Sequence, residues 1–178
     1  MREARPVNAS RDKVADLRSE IVALIPRLRR FALGLTRNRD EADDMVQLAL
    51  ERGLARLSHF TIGTRLDSWM FRILQNAWID LARRRQRDGA PVDLDAIAEL
   101  TPDALEDAAR LSVQREVQQA MTALSADQRA LVMLVLVEGY SYQEAADIVE
   151  IPVGTVMSRL SRARQILMDR LSVDGERP

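Results

Sequence analysis

The chain has 178 residues, of which 47% are hydrophobic and 4% are aromatic, and its formal net charge is −1. It contains no cysteine and one histidine, His59, which excludes disulfides, thiolate metal sites and most histidine-based catalysis. The aliphatic, glycine-poor composition favours an all-α fold. No apolar run approaches the ~20 residues of a membrane span, and the first residues lack a signal-peptide core. We therefore expect a cytoplasmic protein that does not insert into a membrane.

Charge is unevenly distributed along the chain, although a near-neutral total is unusual for a protein that binds DNA by itself. Arginines cluster at residues 83–87 and again at residues 159–164, whereas residues 91–109 hold six acids and no base. This pattern predicts two small helical domains joined by a flexible acidic linker. The predicted segments are a disordered start (1–9), a first domain (10–87), the linker (88–110), a second domain (111–172) and a tail (173–178).

The first domain has the periodicity of four helices. We predict helices over residues 12–24, from Pro26 to about residue 35, and over residues 41–57 and 66–87, with a polar turn at 36–40. The third helix is expected to bury Ala42, Met45, Val46, Ala49 and Gly53. The long fourth helix is expected to bury Leu66, Trp69, Met70, Ile73, Ala77 and Leu81.

Two outward faces of these helices differ from ordinary solvated surfaces. The face of residues 41–57 opposite the core carries an apolar residue between polar ones, which suggests protein docking; its members are Asp44, Gln47, Leu48 and Glu51. On the long helix a polar, arginine-rich strip is predicted to face outward beside a loop that bears Phe60. We label this long helix, predicted over residues 66–87, α3 and call its polar surface the α3 strip; the members of the strip are Arg65, Ser68, Arg72, Gln75, Asn76 and Arg83. Such a strip suits a phosphate backbone, and the loop suits an unstacked base, although a charged solvent face fits the pattern equally well.

The last third of the chain has the pattern of a helix-turn-helix. In the second domain, Val117, Met121 and Leu124 recur at helical spacing, and Ser125 is expected to cap an apolar helix over residues 127–138 that Gly139 ends. Ser141 and Glu144 form a capping box, and Pro152 interrupts before a second helix. That helix is predicted to bury Val156, Leu160, Ala163 and Leu167. Its other side presents Thr155, Ser158, Ser161, Arg162 and Gln165, which suits entry into a major groove; an ordinary surface hairpin is the alternative.

Three segments together resemble the sigma-70 family of RNA polymerase sigma factors, in particular its small extracytoplasmic-function (ECF) group. The segment similar to the polymerase-docking motif is EADDMVQLALERG. The segment similar to the helix that melts and contacts the −10 element is LDSWMFRILQNAWIDLARRRQR. The segment similar to the −35-binding domain is LSADQRALVMLVLVEGYSYQEAADIVEIPVGTVMSRLSRARQIL. The resemblance spans about residues 20–87 and 111–171.

The resemblance implies roles for individual residues. The implied −35 contacts are Thr155, Ser158, Arg159, Ser161 and Arg162. The implied −10 contacts are Phe60, Arg72, Asn76, Arg83 and Arg84. The implied contacts with core polymerase are Asp44, Gln47, Leu48 and Glu51. The expected partners are the β′ clamp and β flap of core RNA polymerase, promoter DNA and an anti-sigma factor, with no cofactor or metal.

Two residues depart from the family pattern. Met157 stands where many relatives have a basic residue, and Leu48 replaces an acid that commonly follows the glutamine of the docking motif. The function implied is promoter-specific initiation at −35 and −10 elements, without enzymatic activity of its own. Two alternatives remain open at this point: a sigma-like mimic that sequesters an anti-sigma factor, and an autonomous helix-turn-helix regulator.

Overall fold

The computed structural model of the protein describes the backbone of residues 7–88 and 116–174, and every regular element in these two ranges is helical. The predicted linker therefore lies outside the described residues, except for Asp88. In the first unit the helices are α1 (Val7–Thr36), α2 (Arg39–Ala55) and α3 (Leu66–Asp88), with a 3₁₀ turn at Leu57–His59. In the second unit they are α4 (116–122), α5 (Ala126–Val132), α6 (Tyr142–Val149) and α7 (Val153–Asp174). The predicted all-α arrangement of two helical units is confirmed.

The first helix corrects the prediction for the start of the chain. Two helices divided near Pro26 were expected, but α1 is continuous and contains Pro26. A proline inside a helix leaves the carbonyl four residues earlier without its donor, and here that residue is Val22, which is exposed to solvent. The apolar face is buried on both sides of the proline, with Ile21 before it and Leu28 after it. The helix also includes residues 7–9, which were predicted to be disordered.

Helix α2 begins at Arg39 because the Asn38 side chain accepts a hydrogen bond from the Glu41 amide at 3.0 Å. It thus starts two residues before the predicted position and buries the five residues predicted to lie inward. Two ion pairs hold α2 against α3. Arg85 contacts Glu41 at 2.8 Å, and Arg52 contacts Asp80 at 3.3 Å. Helix α2 therefore has a fixed inner face and a free outer one.

The second unit contains the predicted helix-turn-helix. Capping boxes begin α5 at Ser125 and α6 at Ser141, and Glu150 ends α6 in a left-handed conformation. The apolar helix expected over residues 127–138 changes into a π-helical turn at Met133–Val137. Gly139, with φ +77°, then reverses the chain into Tyr140, a conformation that suits glycine. Val117, which recurs at helical spacing with Met121 and Leu124, is exposed, and α7 extends two residues into the predicted tail.

One continuous apolar core joins the two units. Phe71 of α3 contacts Phe31 edge-to-face with ring centroids 5.2 Å apart, and on its other side it contacts Tyr140 at 5.5 Å. Gly34 of α1 lies so close to Met133 that an added Cβ would stand 2.8 Å from the Met133 Cγ. We call this contact between the units the closed interface.

Within the described ranges, no helix is long and apolar enough to cross a membrane.

Candidate nucleic-acid and polymerase interfaces

Helix α7 lies across the second unit with one side buried and the other open. Val156, Leu160 and Ala163 are fully buried, and Leu167 packs partly against the same core. This confirms the predicted inner face of the helix. On the opposite side Ser158, Ser161 and Arg162 are exposed, whereas Thr155 is half-buried. The open side thus presents small hydroxyls and a guanidinium, the groups that contact base edges and phosphates in a major groove.

The arginines of α7 differ in whether other side chains bind their guanidinium groups. Arg159 pairs with Asp127 at 2.8 Å, at the start of α5, and is half-buried. Arg164 donates to the Tyr142 hydroxyl at 3.1 Å. Arg162 makes no ion pair with any described residue, so its guanidinium is available to a ligand. Met157, on the flank of this face, is 54% exposed.

The outer face of α2 is also open. Asp44, Gln47, Leu48 and Glu51 are all exposed. Gln47 donates from Nε2 to the Glu51 carboxylate at 3.1 Å, which aligns the two side chains one turn apart. Asp44 makes no ion pair within the described part of the chain. The face therefore offers carboxylates and an amide around one leucine, a combination suited to a polar protein contact.

Phe60 occupies a different environment from the one predicted for a base-contacting residue on a loop. It is 9% exposed and packs against Trp69 with ring centroids 5.4 Å apart. The neighbouring loop residues Ile62 and Gly63 are exposed. The loop therefore presents Ile62 and Gly63 to solvent, whereas the Phe60 ring packs inside it.

The α3 strip is divided rather than uniformly exposed, and this corrects its predicted outward orientation. Asn76, Arg83 and Arg84 are exposed. Gln75 is only 3% exposed and lies inside the protein. Ser68 and Arg72 are half-buried because the second unit covers the N-terminal half of the strip. Helical periodicity does not predict this cover because it describes the two sides of one helix and not the units that pack on it.

Side chains of the second unit pair with this covered half. Arg65 bonds to Glu144 of α6 as well as to Asp67. Arg72 faces Glu150, with Nε 4.0 Å from Oε1. Glu138 of the second unit has a side chain that is only 1% exposed. Its carboxylate accepts hydrogen bonds from Arg27 at 2.7 Å and from Arg30 at 2.8 Å. Arg27 and Arg65 also lie over the Tyr140 ring, at 5.8 and 4.9 Å.

These contacts shift the ionisation of the interface groups. Burial opposes the charge on Asp67, but hydrogen bonds from Arg65 and the Ser68 amide outweigh it and hold the pKa of Asp67 well below its usual range. Burial, together with the Asp67 carboxylate, raises the pKa of Tyr140 well above its usual range. Burial lowers the pKa of Arg27, but the interactions with Glu138, Tyr140 and Asp67 together outweigh it, so the net pKa is raised. Asp67 is therefore ionised, and Tyr140 uncharged, at neutral pH.

At its C-terminal end α3 carries an open basic cleft. Its lining residues are Asp80, Arg83, Arg84 and Arg87. Two of these were predicted as DNA contacts, and the cleft adds Arg87. Arginines that converge on open solvent at a helix end suit a phosphate group.

Sequence reasoning missed the residues that join the units, namely Arg27, Glu138 and Tyr140. Nothing in the local pattern distinguished Glu138 from a solvated acid at the end of a helix. Its partners stand 111 and 108 positions earlier in the chain. Only the packing of the second unit on the first brings them together.

Family models match both units of the chain. Residues 114–167 match the model described as Sigma-70, region 4, and residues 21–75 match the Sigma2 domain of PhyR. A curated relative, the ECF RNA polymerase sigma factor EcfG of Rhodopseudomonas palustris, is 40% identical over 89% of this chain and 87% of that protein. The sigma factor SigE of Mycolicibacterium smegmatis is 32% identical over 82% of this chain and 58% of its own length.

Solved structures agree with these matches. The sigma factor RpoE of Bartonella quintana, in complex with the anti-sigma factor NepR, superposes with a TM-score of 0.72. It is 35% identical and covers 89% of this chain and 98% of its own. CnrH, in complex with the cytosolic domain of CnrY, has a TM-score of 0.66 at 24% identity, covers 94% of this chain and 99% of its own, and shares the fold. The chain therefore belongs to the ECF family of RNA polymerase sigma factors, which direct promoter-specific transcription.

Proposed function

We propose that this sigma factor binds core RNA polymerase through the outer face of α2 and contacts promoter DNA with α7 and α3. It acts in the cytoplasm and performs no catalysis of its own, because the polymerase carries out the phosphoryl transfer. The observation that carries the proposal is the two-sided α7. Its buried side anchors it in the helix-turn-helix, and its open side presents Ser158, Ser161 and Arg162 together. The boundaries proposed for the two domains are 10–87 and 111–172.

Helix α7 is the proposed −35 reader. A recognition helix must be held rigidly and must carry short polar side chains that reach base edges. The packing of Val156 and Leu160 in the core holds α7 in place. Arg162 extends beyond the serines and can contact a guanine edge or a phosphate. Thr155 and Arg159 lie at the margin of this face and are half-buried. Groups in such a position are better suited to contacts with the DNA phosphate backbone than to contacts with bases.

Helix α3 is the proposed −10 surface. The exposed Asn76, with Arg83 and Arg84 beyond it, forms a polar path along the helix toward its basic end. A single strand can follow such a path through its phosphates while a displaced base docks near the loop of Phe60. Unstacking a base costs a few kcal/mol, which these contacts and Arg72 would offset.

The outer face of α2 is the proposed polymerase-docking surface. Substitution of Asp44 or Gln47 by alanine is expected to weaken retention on the β′ subunit, because each removes a polar group from a face that α1 and α3 leave uncovered. Asp147→Ala is the matched control, since Asp147 is an exposed acid on α6 in the second unit. Full retention of both α2 variants in a β′ pull-down would reject the assignment of this face.

The function as a whole is tested by run-off transcription with core RNA polymerase on DNA from upstream of the gene. A discrete transcript that requires the protein supports promoter-specific initiation and locates both elements. Absence of both a transcript and polymerase binding would reject the proposal.

An anti-sigma factor is the further partner we propose. The similar RpoE of Bartonella quintana was solved with the anti-sigma factor NepR. The exposed faces of α2 and α7 are the surfaces such a partner would need to cover in order to block polymerase and the −35 element together.

A sigma-like mimic is the second candidate function, because residues 21–75 match the Sigma2 domain of PhyR and a structure described as the anti-anti-sigma factor PhyR shares the fold. The free, basic −35 face of α7 favours a DNA-binding factor over a mimic. An autonomous helix-turn-helix regulator would leave the α2 face and the basic end of α3 without a role. A specific gel shift by the free protein would favour that regulator.

A further inference from the structure

One arginine of α7 is neutralised by an acid from a neighbouring helix. Arg159 pairs with Asp127 of α5 at 2.8 Å, and the two side chains are 35% and 59% exposed. Neither Arg162 nor Arg164 forms an ion pair with a described residue, although Arg164 donates to the uncharged Tyr142 hydroxyl at 3.1 Å. The proposed recognition helix therefore carries arginines of two kinds, one with its charge cancelled by a carboxylate and others without such a partner in the described ranges.

Asp127 is held in place by the structure of α5. It lies in the first turn of that helix, between Ser125 and Gln128, whose side chains form the capping box. An acid near the N-terminus of a helix is also favoured by the helix dipole. Leu131 of the same helix is buried in the core, and α5 packs on α7. The carboxylate therefore stands at a fixed position beside Arg159.

Arg159 stands where a DNA phosphate would come close. It lies one turn after Thr155 and one turn before Arg162, at the margin of the proposed reading face. Backbone phosphates border the groove that such a helix enters. A free guanidinium at this margin would bind a phosphate through charge-assisted hydrogen bonds in DNA of any sequence. The Asp127 carboxylate competes with that phosphate for the same guanidinium.

We propose that Asp127 is a positioning residue that withholds Arg159 from the DNA phosphates and thereby lowers the sequence-independent part of −35 binding. This inference rests on the proposed function of α7. A phosphate contact carries no sequence information and contributes equally to matched and mismatched sites. Asp127 therefore sets the affinity and the salt dependence of binding, whereas Arg162 and its neighbouring serines set the choice of sequence.

Asp127→Asn tests the proposal because it removes the charge that holds Arg159 and keeps the shape of the side chain. The affinity of the variant holoenzyme for a promoter, relative to that of the wild-type holoenzyme, is measured at several salt concentrations. At low salt we expect the variant to bind several-fold more tightly. One added phosphate contact steepens the logarithmic salt dependence by about 0.9. The advantage of the variant should therefore shrink about three- to four-fold between roughly 50 and 200 mM salt.

A second measurement separates a phosphate contact from a base contact. The same affinities are compared on promoters with intact and altered −35 elements. Asp127→Asn should raise both affinities equally and leave their ratio unchanged. A changed ratio would show that the pair acts on a base, and a loss of affinity on both promoters would show that it only braces the fold. Either result would overturn the proposal.

Three further variants show whether Asp127 acts through Arg159. Asp127→Glu keeps the charge and should restore the wild-type salt dependence. Asp147→Asn removes an exposed acid of α6 whose described partner is Gln143, so it should change the affinity little. In a chain that carries Arg159→Gln, Asp127→Asn should increase the affinity no more than Asp147→Asn does. An equal gain with and without Arg159 would show general repulsion by the carboxylate and would reject the proposed positioning role.

Failure of the proposed function gives a different result. If the wild-type holoenzyme binds intact and altered −35 elements equally, α7 is not the −35 reader. The restraint on Arg159 is then measured with the free full chain on a short duplex of arbitrary sequence at low salt. Asp127→Asn should again bind several-fold more tightly than the wild type, and equal binding by the two chains in that assay would overturn the restraint as well.

Discussion

The open side of α7 and the α3 strip are both arginine-bearing polar faces, yet they differ in how much of each face is exposed to solvent. The α7 side stands free on a rigid mount, with Arg162 unpaired among the described residues. The N-terminal half of the α3 strip is covered by α6 and retains buried polar atoms without a hydrogen bond to any of the described residues. A helix that reads duplex DNA can be presented preformed, because the major groove is already accessible. A polar helix face against which another unit packs, as α6 packs on α3, loses part of its exposure.

The largest expected effect is on stability, and it comes from removing the Phe71 ring, which packs on Tyr140 of the second unit. Phe71→Ala should lower the free energy of unfolding by about 3–5 kcal/mol, since it empties a fully buried site shared by both units. Urea denaturation measures this change. Leu54→Ala, at an exposed position of α2, is the control and should change the free energy by no more than about 0.5 kcal/mol. Equal destabilisation by both substitutions would contradict a core shared through Phe71.

The open face is tested by Arg162→Ala. Loss of a base contact should weaken −35-dependent promoter binding of the holoenzyme by about 1–3 kcal/mol. Competition between promoters with intact and altered −35 elements measures it. Arg170→Ala is matched to it, since Arg170 is an exposed arginine further along the same helix. An unchanged promoter response in the Arg162 variant, or an equal loss in the Arg170 variant, would remove Arg162 from the reading face.

Acid should destabilise the closed interface by protonating Asp67. Its pKa is held well below the usual value in the folded protein, so its stabilising contribution is complete above the unfolded pKa of about 3.9. That contribution is lost as pH falls from about 4 toward the folded pKa. The urea midpoint, measured at pH 7, 4 and 3, should fall less steeply in Asp67→Asn than in the wild type. Asp147→Asn, outside the interface, is the control, and its urea midpoint should fall with pH as that of the wild type does. If the midpoint of Asp67→Asn also falls in parallel with that of the wild type, the prediction is contradicted.

The smallest effect is expected from Glu150→Asn. Asparagine tolerates the left-handed backbone of this residue, whose φ is 56°, while the substitution removes the charge opposite Arg72. Exposed ion pairs contribute up to about 1 kcal/mol, so single-strand affinity should rise by no more than a few-fold. Fluorescence anisotropy at low and high salt measures it, with a smaller difference expected at high salt. A decrease in affinity would show that Glu150 does not compete for Arg72.

Local patterns in the sequence determined most of the helices and their inner faces. The capping boxes at Ser125 and Ser141 and the burial of Val156, Leu160 and Ala163 follow from interactions within a few residues, which periodicity records directly. The exposed α2 face was predicted for the same reason. The roles of these faces in binding stay predictions.

Only the tertiary structure decided which part of the α3 strip is available. Gln75 and Arg72 have an outward pattern on a single helix, but α6 and Tyr140 arrive from more than 60 residues later in the chain. The continuity of α1 through Pro26 was likewise decided by packing on both sides of the proline, against its local tendency to interrupt a helix. Sequence periodicity specifies which face of a helix is apolar. Long-range packing decides what comes to lie on its polar face, because the groups that meet there share no local signal.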